Sequence, residues 1–271
     1  MPNLPTPRDS SLTLEAGVAT LTLRRDDVRN ALTGTALIDD IVDTVQWANC
    51  APDVSVLVIT GDGAAFSAGG NVKEMKERGG SFAGAVPEVE ERYRRGIQQI
   101  PLAIHKAEMP VIAAVNGAAI GAGCDLACMC DIRIGSTKAM FGETFVNLGI
   151  IPGDGGGWFL QRLIGYQRAA ELTFTGRVVR ADEARDIGLL LDVVEPVQLM
   201  ARTLEIAGEI AKKPPQALRY AKRLMKLAQR MELADFLDLC AVFQGVCHNT
   251  EDHLEAVNAF LDKRPADFKG R

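Results

Sequence analysis

The sequence predicts an α/β fold with a helical C-terminal region, on three observations. Short β-branched apolar runs alternate with helical patterns through the first two-thirds of the chain. Two of these runs end in glycine-rich turns that pass straight into helices. After Val193-Val194-Glu195-Pro196 the β signal all but disappears.

Taken in order, the polar, proline-containing segment 1–10 has no apolar run of a signal peptide and reads as a flexible tail of a cytoplasmic protein. The core is expected over 11–196. Ser11–Glu15 and Val18–Leu23 form a hairpin hinged at Ala16-Gly17. Leu37, Ile41, Val45 and Ala48 then recur at helical spacing. Val54–Thr60, Val111–Val115 and Asp131–Gly135 read as strands covered on both faces, the first two followed by helical stretches. Region 197–271 is expected to be helical over about 197–212, 215–229, 232–246 and 250–262. Its apolar stripes, such as Leu254, Val257 and Leu261, suit either the chain's own core or another subunit.

The 271 residues are 47% apolar and 24% charged, which excludes disordered, collagen-like and coiled-coil classes. A net charge of −5 has the wrong sign for a protein that neutralises phosphate backbones, so no nucleic-acid partner is expected. Cys124, Cys128 and Cys130 crowd one apolar stretch without C-x-x-C pairs. They read as buried thiols in a reducing compartment, and no metal site is expected. Pro110–Cys130 has the length of a membrane span, but Gly117, Gly121 and Gly123 interrupt it. A buried strand, a turn and a buried helix explain it better.

The chemistry sits in the two turns, Gly61–Met75 and Asn116–Asp125. Neither ends as a phosphate loop does, and neither is a dinucleotide G-x-G-x-x-G. Turns without bulky side chains expose backbone N–H groups at a helix N-terminus. If the two strands are neighbours, two such groups can converge on one oxygen as an oxyanion hole.

At these residues the sequence resembles the enoyl-CoA hydratase/isomerase (crotonase) superfamily. The matching stretches are Asn30-Ala31-Leu32, Phe66–Lys73, Pro110–Gly117, Gly121–Asp125, Cys130-Asp131-Ile132, Ile151-Pro152-Gly153, Gly176–Gly188 and Phe260–Arg264. The resemblance implies a crotonase-like spiral of β-β-α turns, with the C-terminal helices mediating a trimer or a dimer of trimers. It implies an acyl-CoA thioester as substrate, coenzyme A being part of it, and no separate cofactor. The thioester oxygen would lie between the backbone N–H groups of Gly70 and Ala122. Arg29, Ala31, Ala68, Lys73 and Lys263 fall where such proteins hold coenzyme A, although Lys73 also reads as a solvated helix charge. His248 falls near the adenine of a neighbouring subunit, or is a plain surface histidine.

The acids depart from the family. Its hydratases hold water between two glutamates, and the matching positions here are Asp125 and Phe145. Glu143 and Asp154 are the candidate substitutes. Each has a plain alternative: Asp125 as a first-turn acid favoured by the helix dipole, Glu143 as a structural carboxylate, and Asp154 as a helix cap. Phe145 and Trp158 suggest an apolar acyl pocket. The resemblance implies enolate chemistry, first as an enoyl-CoA hydratase, then as a single-acid double-bond isomerase, a hydrolase or dehalogenase, or a non-catalytic binder of CoA esters.

Overall fold

The computed structural model describes residues 3–271. Strands β1 (Ser10–Glu15) and β2 (Val18–Leu23) pair antiparallel around Ala16 and Gly17, at φ 47° and 80°. Two consecutive positive φ angles match the twist of a two-residue hairpin, and glycine tolerates them best. Before β1 the chain is already held: the Arg8 and Asp9 N–H groups donate to the Asp40 carboxylate at 2.9 and 2.8 Å. The expected tail over 1–10 is therefore anchored at its end, and residues 1–2 lie outside the described part.

Helix α1 (Leu37–Cys50) follows, and then strand pairs and helices repeat. The first unit is β3 (Val56–Gly61), β4 (Ala65–Ser67) and α2 (Val72–Glu77), with α3 (Val86–Arg95) and α4 (Gln99–His105) inserted after it. The second is β5 (Val111–Val115), β6 (Ala118–Ile120) and α5 (Ala122–Met129). The third is β7 (Ile132–Ser136), β8 (Met140–Gly142) and α6 (Gly156–Ile164). Next come α7 (Tyr166–Thr175), β9 (Val178–Arg180), α8 (Ala181–Asp186) and β10 (Asp192–Val194). The first strand of each unit joins a six-stranded sheet, β1-β2-β3-β5-β7-β10, and the second a four-stranded sheet, β4-β6-β8-β9. This is the expected spiral of β-β-α turns.

The unbroken apolar runs have a simple cause. Leu57 and Ile59 of β3 face one core cluster with Leu37, Ile41 and Val45 of α1. Val56 and Val58 face a second with Leu199 and Ala207 of α9 (Leu199–Ala211). With both faces covered, alternation has no reason to appear. Each fully buried aliphatic side chain contributes roughly 1.5–3 kcal/mol.

The remaining helices are α10 (Pro215–Leu227), α11 (Leu233–His248) and α12 (Glu251–Asp262). Helix α10 is bolted to the core by cations. The Arg219 guanidinium donates to the carbonyls of Ala48, Asn49, Ala51 and Val54 at 3.0–3.2 Å, where α1 ends and the β3 approach begins. The Lys222 ammonium donates to the Met109 carbonyl and pairs with Asp131, both at 2.6 Å. Asp131 in turn accepts the Val111 N–H at 2.7 Å, at the start of β5. Helix α11 buries no residue, and α12 leaves Phe260 and Leu261 83% and 70% exposed. Among the described residues no helix is long and apolar enough to cross a membrane.

Candidate active site

The two glycine turns meet because β4 and β6 are parallel neighbours, with Ala65 opposite Ala118 and Ser67 opposite Ala119. Their contact leaves no room for side chains. A Cβ on Gly69, at φ 76°, would lie 2.5 Å from the Ile120 carbonyl oxygen and 2.8 Å from the Ala122 nitrogen. One on Gly123 would lie 2.0 Å from the Ser67 carbonyl oxygen. Gly70 and Ala122 consequently line one cavity of about 120 Å³. Ala122 is the first residue of α5, where N–H groups have no intrahelical acceptor. Among the described residues neither the Gly70 nor the Ala122 N–H donates to a protein acceptor. Two free donors beside a mostly apolar cavity are the arrangement an oxyanion requires.

Behind the first turn runs the Arg29–Leu32 strip. The Ala68 N–H donates to the Arg29 carbonyl at 2.9 Å and the Leu32 N–H to the Gly69 carbonyl at 2.7 Å, with Ala31 bridged to Gly69. Asn30, fully buried, staples it by donating to the Asp62 and Ala65 carbonyls at 3.0 and 2.9 Å. Its role as a staple was not among the sequence expectations. Of the expected coenzyme A residues only Ala68 lines the cavity. Arg29 and Lys73 are exposed, Lys73 in the first turn of α2 and Arg29 in a left-handed conformation. Lys263 ends α12, exposed and outside the cavity lining. His248 is also outside it, its Nδ1 3.0 Å from Nε2 of His253.

The three candidate acids do come together. Asp125, Glu143 and Asp154 are 0%, 2% and 4% exposed, and Asp125 is within hydrogen-bonding reach of both others. Asp125 Oδ2 accepts the Gly156 N–H at 3.0 Å. The acid that caps α6 is therefore Asp125 and not Asp154. Asp154 instead lines the cavity beside Gly70 and Ala122, whereas Asp125 and Glu143 lie outside its lining. Burial, then the nearby Asp154 and Glu143, push the Asp125 carboxyl well above the usual carboxylate range. The α6 N–H opposes this, but one donor does not replace lost hydration. Burial also raises Glu143 and Asp154, while hydrogen bonding from Asp125 pulls each part of the way back.

Phe145 faces the turn, its ring 3.7 Å from where a Gly121 Cβ would stand. Trp158 does not join it. Trp158 is 42% exposed and lines a different cavity, packed edge-on against His105 with the Arg162 guanidinium over its ring. In its place α2, α3 and the segments after each supply Met75, Phe82, Tyr93 and Ile97. The only sequence cue for Tyr93 is its spacing from Val86 and Val89 along a heavily charged helix. Burial and the Asp154 charge raise the Tyr93 phenol.

Comparison with known proteins gives one answer. A family model described as enoyl-CoA hydratase/isomerase matches residues 13–271. A crotonyl-CoA hydratase of Syntrophomonas wolfei is 38% identical over 255 residues, 94% of this chain and 95% of its own. An enoyl-CoA isomerase/hydratase of Mycosarcoma maydis is 35% identical over 272 residues, 97% of this chain and 96% of its own. The crystal structure of an enoyl-CoA hydratase from Bacillus anthracis superposes with a TM-score of 0.90 at 33% identity, over 97% of this chain and all of that one.

Proposed function

Because the chain belongs to the enoyl-CoA hydratase/isomerase (crotonase) superfamily, whose members handle CoA thioesters, we propose that it adds water reversibly to a 2-enoyl-CoA. The observation that carries this is the buried acid cluster beside two free N–H donors. Hydration needs an ionised carboxylate to take a proton from water and a neutral carboxyl to give one to the α-carbon. Three mutually close carboxyls in a buried site hold one another's ionisation back, so the cluster can offer both a charged and a neutral carboxyl. Water oxygen bonds to the β-carbon, its proton passes to carboxylate, and the electron pair moves onto the thioester oxygen. Gly70 and Ala122 N–H groups stabilise that enolate, which then takes the proton back from Asp154, the one acid of the cluster that lines the cavity.

A second reading has one specific support. Asp154 alone of the three acids lines the cavity, which suits a one-acid shift of a double bond. The exposed apolar faces of α11 and α12 support self-association as a trimer or dimer of trimers. Cys124, Cys128 and Cys130, buried as free thiols, suit the reducing cytoplasm that we propose as its location.

The test is ultraviolet and mass-spectrometric analysis of the pure protein with short-chain, long-chain and aryl 2-enoyl-CoA and 3-enoyl-CoA esters. Loss of the conjugated band with gain of one water supports the hydratase. A 3-enoyl ester that gains the conjugated band without gaining mass overturns it in favour of the isomerase. An ester bound without product or α-deuterium exchange removes catalysis altogether.

A further inference from the structure

Among the described residues four carboxylate oxygens in the cluster accept no N–H or O–H hydrogen bond, namely Asp125 Oδ1, both Glu143 oxygens and Asp154 Oδ2, and only the Cys124 thiol offers Glu143 a hydrogen. All are buried, and among the described residues the one cation lining the cavity to which Asp154 opens is Arg92 of α3, whose guanidinium donates to the Ala83 carbonyl. His105 on α4 and Arg162 on α6, the only ionisable side chains of those helices, are turned away against Trp158. The remaining neighbours are the Cys124 and Cys128 thiols of α5 itself, Cys124 also meeting Glu143, and the Tyr93 phenol of α3 beside Asp154. Among the described residues no group of acids, histidines or cysteines is arranged to hold a metal ion. Oxygens that face one another in this way need a hydrogen between them, and a carboxyl proton supplies it.

We propose that Asp125 is the neutral member of the cluster, a positioning residue whose single proton is shared with Glu143 and Asp154 and keeps Asp154 ionised toward the cavity. The inference rests on the enolate-forming site described above. Asp125 is the only one of the three that reaches both others. Its Oδ2 is fixed by the first N–H of α6, leaving Oδ1 to carry the proton inward. A Cβ on Gly156 would stand 2.1 Å from Oδ1, so the backbone of α6 sets the position of this carboxyl. A neutral Asp125 also explains why a wholly buried acid tolerates two acidic neighbours: it gives a hydrogen bond where a second charge would repel. Asp154, opening to the cavity, keeps the charge that substrate and water can use.

Infrared spectroscopy and the pH–rate profile test this together. The wild-type protein is expected to show a protonated-carboxyl C=O stretch at neutral pH. The band should persist in Asp154→Asn and in Glu143→Gln and vanish in Asp125→Asn. Removing the donor in Asp125→Ala deprives ionised Asp154 of a bond, so the acidic limb of the profile should move up by about one pH unit. Asp125→Asn keeps a carbonyl for the Gly156 N–H and an amide donor for Asp154, and should bring the limb back. A merely structural residue would change stability and rate without moving that limb. A band surviving in Asp125→Asn, or lost in either of the other two, overturns the inference. So does a limb equally displaced in Asp125→Asn and Asp125→Ala. Should the Asp125 variants fail to fold, the double variant Glu143→Gln/Asp154→Asn decides alone: a band kept in it leaves Asp125 as its holder, and a band lost overturns the inference. The spectra need no turnover, so a protein that hydrates nothing but shows this pattern loses only the proposed reaction.

Discussion

The glycine turns and the acid cluster reach the same cavity, but one works through backbone and the other through side chains. At the turns, Gly69 and Gly123 bring two peptide chains within contact, and Gly70 and Ala122 offer N–H groups whatever their side chains are. In the cluster, identity and position are everything: Asp125 caps α6 while Asp154 opens to the cavity, although both are buried aspartates in glycine-rich sequence. Backbone function constrains the sequence to what must be absent. Side-chain function can move from one segment to another provided that the carboxyls still converge.

Breaking the side-chain half should have the largest effect. Asp154→Asn removes the one acid of the cluster that lines the cavity and should lower kcat by about a hundred- to ten-thousandfold in the ester assay. The backbone half comes next. Gly69→Ala would force its Cβ against Ile120 and the Ala122 nitrogen, and loss of one oxyanion donor should lower kcat by about a hundred- to a thousandfold. If kcat survives Gly69→Ala with KM raised, the turns bind the ester without stabilising an enolate.

A smaller effect separates burial from chemistry. Folding raises the Glu143 pKa, so the native state holds a proton that the unfolded chain releases. Its contribution to stability is full below the ordinary carboxylate range and is lost as pH rises through the raised value. Glu143→Gln should therefore flatten, by a few degrees, the fall of Tm as pH rises above the ordinary carboxylate range, measured by thermal denaturation across pH. The smallest change concerns the exposed rim. Lys73→Ala should raise KM for a CoA ester by no more than about fivefold, an increase that disappears at high salt.

Most of the fold was legible because its signals are local. Val111–Val115 is a strand with the expected bounds, and α9 to α12 fall within a few residues of their expected ranges. The four strands of the smaller sheet were not read, because three residues such as Ala118–Ile120 carry no periodicity. The meeting of the two turns was legible from their glycines, since close backbone approach excludes nearly every other residue. The division of work among the acids was not. Whether Asp154 or Asp125 caps α6 depends on which carboxyl the fold brings to the Gly156 N–H, from 31 positions away in the case of Asp125. Trp158 was misplaced for a related reason: its helix turns the ring outward to His105 and Arg162, and helical spacing alone does not say which face meets the ester.

Arg219 and Lys222 set an order of events during synthesis. The carbonyls that they serve belong to residues near 50 and 109, which leave the ribosome long before α10 exists. At about 5–20 residues per second the segment around Ala51 waits on the order of ten seconds or more for its guanidinium. Through that interval the nascent sheet lacks the α9 face and its cationic bolts, and its second apolar face stands open. The nascent chain thus carries its greatest need for a holding chaperone late in translation, just before its last quarter emerges.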